Sequence, residues 1–121
     1  MRDFRKYRIW QDAISISQSI YSLTELFPKK EVYGLSNQMQ RAAVSIASNI
    51  AEGASRESPV EFARFLEIAI GSAFEVETQL TIAFNQRYIT SEEYQKITTS
   101  LQEEEKGINS FIQTLKPKAN S

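Results

Sequence analysis

Cysteine and histidine are both absent from this chain of 121 residues. Without cysteine there is no disulfide framework and no thiolate metal site. Without histidine, most zinc sites, di-iron bundles built on Glu-x-x-His pairs and histidine-based acid–base catalysis fall away together. Glycine and proline are scarce, at four and three residues. Few places to turn favour a few long elements over many short ones. No window approaches the roughly 18 apolar residues of a membrane span. The basic start, Met1 to Lys6, is not followed by the apolar run of a secretory signal. A cytoplasmic protein with no membrane partner is the expectation. Charge is nearly balanced, with a net value of −1, which argues against nucleic-acid binding by the whole surface. Its distribution is uneven: Arg2, Arg5, Lys6 and Arg8 face only Asp3 at the start, while Glu92, Glu93 and Glu103 to Glu105 crowd the last third.

What is present is helical periodicity. Ile9, Ala13, Ile16, Ile20, Leu23 and Phe27 are spaced 4, 3, 4, 3, 4, a heptad seam that predicts a helix over about 6–27. Trp10, Ile14 and Tyr21 add a second strip beside it, and two strips imply two covered faces. Pro28 stops the helix. A second helix over about 31–53 carries Leu35, Met39, Ala42, Ile46 and Ile50, with Gly53 as the expected left-handed stop. Ser58-Pro59-Val60-Glu61 has the serine, proline and glutamate of a capped start. The seam behind it, Phe62, Leu66, Ala69, Ala73, Val76, Leu80 and Ala83, predicts a helix over about 59–86, with Phe65, Ile68 and Phe84 widening it. Thr90-Ser91-Glu92-Glu93 is a second capping box, flanked by Ile89 and Tyr94 as a staple. It opens a helix over about 91–115 with Glu104 interrupting its seam. Short connections make neighbours antiparallel. The expectation is an all-α protein, one domain over residues 1–121 folded as an up-down-up-down four-helix bundle.

The residues Ile9-Trp10-Gln11-Asp12-Ala13, Phe27-Pro28, Tyr33-Gly34-Leu35, Arg41-Ala42-Ala43-Val44-Ser45-Ile46, Ser48-Asn49-Ile50-Ala51-Glu52-Gly53, Arg64-Phe65-Leu66 and Gly71-Ser72 closely resemble the bacterial four-helix-bundle family of 23S rRNA intervening-sequence proteins, also labelled ribosomal-protein-like. The resemblance covers essentially the whole chain. The family is similar to the accessory protein of diversity-generating retroelements, a barrel-shaped homopentamer that binds nucleic acid and engages a reverse transcriptase. The resemblance therefore implies a homopentamer and contact with RNA or DNA. One departure weakens a basic-groove reading: Gln40-Arg41 stands where the family often has two adjacent basic residues.

Three groups of residues invite a role. Arg2, Arg5, Lys6 and Arg8, interleaved with Phe4, Tyr7 and Trp10, could neutralise phosphates and stack on bases, or could be a solvated first turn anchored by its aromatics. Arg41, Ser45, Asn49 and Glu52 form one stripe on the second helix. An antiparallel third helix places Glu75 opposite Arg41, so an interhelical network with a buried Arg41–Glu75 pair is expected rather than a binding surface. Trp10, Tyr21, Ala43, Ala47 and Gly71 are the candidate contacts between copies. A glycine inside a helix costs roughly 1 kcal/mol against alanine, so Gly71 suggests the close approach of another helix. Glu103-Glu104-Glu105 reads as a solvated face rather than a metal site. Catalytic residues, metal ligands and cofactors are not assigned. The two functions carried forward are a non-enzymatic, homo-oligomeric, nucleic-acid-associated scaffold and a protein-binding adaptor without nucleic-acid affinity.

Overall fold

The computed structural model describes residues 2–116. Pro117, expected to close the last helix, and the expected fraying after it lie outside the described residues. A 3-10 turn at Phe4–Lys6 leads into α1 (Arg8–Thr24), and a second at Lys29–Glu31 precedes α2 (Leu35–Ala54). The chain continues through α3 (Pro59–Asn85) and α4 (Ser91–Leu115), with no strand among the described residues.

The heptad seams become the core. Ala13, Ile20, Met39, Ile46, Ile50, Phe62, Leu66, Val76, Leu80, Leu101 and Ile108 are fully buried. Burying each large side chain is worth about 1.5–3 kcal/mol. Cross-contacts set the direction of each helix. Tyr7 stacks on Phe62 and packs edge-on to Phe111, so α1 and α3 begin where α4 ends. Phe27 meets Tyr88 at the opposite end. The result is an all-α, antiparallel four-helix arrangement in which α2 on α3 is the closest packing and α1 on α4 the lightest.

The helix ends show where local chemistry departs from expectation. α1 stops at Thr24, short of Pro28, and the Thr24 hydroxyl donates to the Ile20 carbonyl at 2.9 Å. α2 starts at Leu35 rather than near 31, because a 3-10 turn intervenes. Its first turn is capped from outside, by Glu31, whose Oε1 accepts from the Leu35 amide at 3.3 Å and whose Oε2 accepts from the Tyr88 hydroxyl at 2.8 Å. That hydroxyl bond, then the Leu35 amide, lowers the Glu31 pKa. Ser58 accepts from the Val60 and Glu61 amides, but Glu61 makes no return bond to the cap. At Thr90 both halves of the capping box form, while Tyr94 stacks on Phe84 at 4.7 Å.

Gly53 is not a left-handed stop. No described glycine has positive φ, and α2 runs on through Ala54. The left-handed position belongs to Arg87, at φ 65°. The Tyr88 amide reaches the Ala83 carbonyl and the Arg87 amide reaches Phe84, the paired bonds of a Schellman ending.

Candidate functional site

At the end where α1 begins, Asp3 caps the 3-10 turn by accepting from the Arg5 amide at 3.2 Å. Phe4 packs edge-on to Trp10 at 5.3 Å. Phe4, Tyr7 and Trp10 are all half-buried against the bundle, so they fasten the first turn and leave little ring face for a base to stack on. Arg2 is fastened too. Its guanidinium lies 5.0 Å from the centre of the Phe62 ring and donates to the carbonyls of Arg56 and Ala54. A cation suits the carbonyl-rich end of a helix, and this one ties the start of the chain to the end of α2. Arg2 is therefore a structural tether rather than a phosphate ligand.

Arg5, Lys6 and Arg8 remain exposed. Arg5 sits 3.3 Å from Asp3, and Arg8 sits 3.6 Å from Asp12 with 88% of its side chain exposed. Exposed pairs of this kind are worth about 0–1 kcal/mol, so their cations can exchange a carboxylate for a phosphate at little cost.

The stripe on α2 divides. Ser45 and Ser72 hydroxyls share a 2.9 Å hydrogen bond between α2 and α3, and Asn49 Nδ2 donates to both the Ser45 carbonyl and its hydroxyl, at 2.8 and 2.9 Å. Arg41 and Glu75 line one shallow cavity with Gln38, Ala42 and Ser45, so the expected alignment holds. The expected buried ion pair does not form: both side chains are exposed and no bridge joins them. Long charged side chains at solvent-facing positions gain little by pairing in water. Glu52 pairs instead with Arg56, just past the end of its own helix, at 2.9 Å.

The candidate copy–copy contacts divide as well. Ala43 is fully buried and Ala47 nearly so; both belong to the protomer's own packing, because small residues let α2 approach its neighbours. Ala47 also lines an open groove of about 330 Å³ with Phe4, Trp10, Ile14, Val44 and Ala51. Tyr21 is half exposed. Gly71 is exposed, and a β-carbon there would meet nothing within 4 Å. No helix of the protomer needs that glycine. Ile68, expected to widen the buried seam, is exposed at 52%, as are Phe74 and Ile82 at 54% and 45%. Ile68 and Phe74 lie about one turn on either side of Gly71, and Ile82 lies on the same face about three turns further along α3.

Of the acidic run expected to be solvated, only Glu103 is exposed. Glu104 is only 3% exposed, and both its carboxylate oxygens lack a hydrogen-bond partner among the described residues. Burial, and then the charge of Asp12 on α1, push its pKa up to about 8. Glu105 is also pushed up to about 8, by burial first and then by the hydrogen bond and charge of Glu77 on α3. The signal for Glu104 was its position: residues 97, 101, 104 and 108 continue the seam whatever their chemistry. Among the described residues no group of three or more acidic side chains is placed to hold a metal ion, and no helix is long and apolar enough to cross a membrane.

The family model described as 23S rRNA-intervening sequence protein matches residues 5–110. Among solved structures, the chain is similar to the crystal structure of a protein with unknown function from the S23 ribosomal protein family of Bacteroides thetaiotaomicron VPI-5482. That likeness has a TM-score of 0.80 at 27% identity, covering 87% of this chain and 95% of the other. No curated protein matches.

Proposed function

The chain belongs to the 23S rRNA-intervening sequence protein family, and from that premise we propose that it is a non-enzymatic, homo-oligomeric, cytoplasmic scaffold that associates with nucleic acid. The observation that carries this reading is the separation of two surfaces. Arg5, Lys6 and Arg8 stand exposed at the end where α1 begins, whereas exposed Ile68, Phe74 and Ile82 line α3 with an unobstructed Gly71. The apolar face would bring copies together, a pentamer by family resemblance. Each copy would then add the same three cations to one side of the particle.

A mobility-shift titration with labelled single-stranded RNA tests the nucleic-acid half. Three phosphate contacts per protomer give a salt slope near −2, so affinity should fall by about twentyfold between 50 and 200 mM salt. Replacing Arg5, Lys6 and Arg8 with glutamine should remove most of that slope; Arg2 is left intact because it holds the fold. Binding indifferent to both changes would refute the reading. The second reading, a protein-binding adaptor, is favoured by the carboxylates beside Arg5 and Arg8, and it predicts no shift at moderate salt.

Sedimentation tests the assembly half. The wild-type protein should sediment as an oligomer at micromolar concentration. Gly71→Leu should leave helical content intact, since nothing in the protomer obstructs the added side chain, and should reduce the sedimenting mass. Unchanged mass would remove α3 from the interface.

A further inference from the structure

The seam between α3 and α4 brings two carboxyl groups together. Thr81 and Tyr94 share a hydrogen bond at 3.0 Å, and Phe62 meets Phe111 at 5.3 Å. These two crossings fix the antiparallel register and put Leu101 about level with Ala73. Glu77 and Glu105 each start about one turn beyond that level on their own helices. Helical side chains lean back towards their own N-terminus, so on antiparallel helices these two converge. The Glu105 carboxyl lies within hydrogen-bonding reach of Glu77. Oε1 of Glu77 and Oε2 of Glu105 are buried, and no donor on any other described residue reaches either one.

Two ionised carboxylates are both acceptors and cannot bond to each other, whereas a protonated carboxyl carries one O–H donor. A single proton between the two therefore gives each a partner. No described charge competes for it. The core side of the seam is apolar, with Ala73 and Leu101 fully buried. On α4, Glu104 lies towards Asp12 of α1, and Glu103 and Lys106 are exposed. On α3, Arg64, Glu67 and Glu75 are exposed, and no ion pair among the described residues includes Glu77 or Glu105. Burial, and then the bond and charge of Glu77, push the Glu105 pKa up to about 8, in keeping with a proton retained at neutral pH.

We infer that Glu77 and Glu105 hold one proton in common, a carboxyl–carboxylate hydrogen bond that fastens α4 to α3 and opens when the proton is lost. The other neighbour of α4 is α1, its lightest contact, so α4 is the helix that this fastening secures. Without the proton, two like charges face each other across the seam and disfavour the contact.

The ordinary carboxyl value is 4.5, so the unfolded chain releases this proton at lower pH than the folded one. The stability it contributes is fully present below pH 4.5 and is lost as pH rises to about 8. Urea unfolding between pH 5 and 8 of the wild type, Glu77→Gln and Glu105→Gln tests the pair. A glutamine amide donates to the remaining carboxylate at every pH, so each substitution should keep the bond and remove the pair's share of the pH dependence. That share is a rise in the unfolding equilibrium constant on the order of a hundredfold. Glu104 titrates in all the chains and leaves its own share, and Glu103→Gln, at an exposed position, should keep the full rise. Amide exchange at pH 9 reads the fastening itself: protection factors around Glu105 should be roughly tenfold lower in the wild type than in either glutamine variant. Loss of the same share in both variants supports the shared proton. Persistence of the full rise in Glu77→Gln would mean that burial alone protonates Glu105 and overturns the inference, as would equal protection of α4 in all three chains.

Discussion

Glu104→Met is expected to stabilise the protein, most at alkaline pH. The carboxyl sits in the apolar seam of α4 between Leu101 and Ile108, both fully buried. An unbranched thioether can follow the same path without a charge. The sign of the pH dependence follows from the raised pKa. The ordinary value is 4.5 and the folded value about 8, so between them the folded chain holds a proton that the unfolded chain has released. Stability contributed by this group is fully present below pH 4.5 and is lost as pH rises to about 8. The slope is about 1.4 kcal/mol per pH unit, for a total on the order of 5 kcal/mol. Glu104→Met removes that slope. At pH 8.5 its melting temperature should exceed the wild type by about 10 °C, and the gap should narrow towards pH 5. Glu105 titrates with the same sign, so a residual slope should survive the substitution. Urea unfolding at pH 5, 7 and 8.5 measures the slope and what survives of it, and thermal melts at the same pH values measure the gap. A variant less stable than wild type at pH 8.5 would mean that the buried carboxylate contributes favourably.

Gly53→Ala is expected to do the opposite. Alanine in place of a helical glycine ordinarily gains roughly 1 kcal/mol. Here the added β-carbon would lie 2.7 Å from Phe65 Cβ, 2.9 Å from Phe62 Cδ1 and 3.2 Å from the Phe62 carbonyl oxygen. Neither Phe65 Cβ nor the Phe62 carbonyl can rotate away, since both are fixed by the backbone of α3. The two helices must separate, and Phe62, fully buried between Tyr7 and Phe111, loses its packing. Overpacking of this kind costs about 1–3 kcal/mol and occasionally more. The net effect should be a loss of about 2 kcal/mol, or roughly 5–10 °C in melting temperature. A thermal melt of Gly53→Ala equal to or above wild type would contradict so close an approach.

The contrast between Gly53 and Gly71 shows what a single chain makes legible. Periodicity reveals which positions face inward, because the turn of a helix is the same everywhere. The buried seams and the opposition of α2 to α3 follow from it, and the cap at Thr90 from the residue types of a capping box. It also places Glu104 inside, once position is weighed above polarity. Periodicity says nothing about distance. Gly53 looked like a terminator and is a point of contact; Gly71 looked like a point of close approach, and no helix of its own protomer reaches it. Interaxial spacing depends on all the side chains at a crossing, which no local pattern contains. The Arg41–Glu75 pair and the Arg2 tether divide in the same way. Register sets which residues oppose each other, but whether long flexible chains meet is decided by rotamers and water.

The light packing of α1 on α4 has a kinetic consequence. Three joints of this four-sided ring are made between segments adjacent along the chain, and the fourth is made between its first and last helices. Joining distant segments pays the largest loop-closure entropy, so this clasp should shut last and part first. Contacts formed late govern how long the native state survives rather than how fast it arises. Whatever neutralises the carboxylate inside the clasp would therefore act as a latch, lengthening the lifetime of the folded molecule while leaving its rate of formation almost untouched.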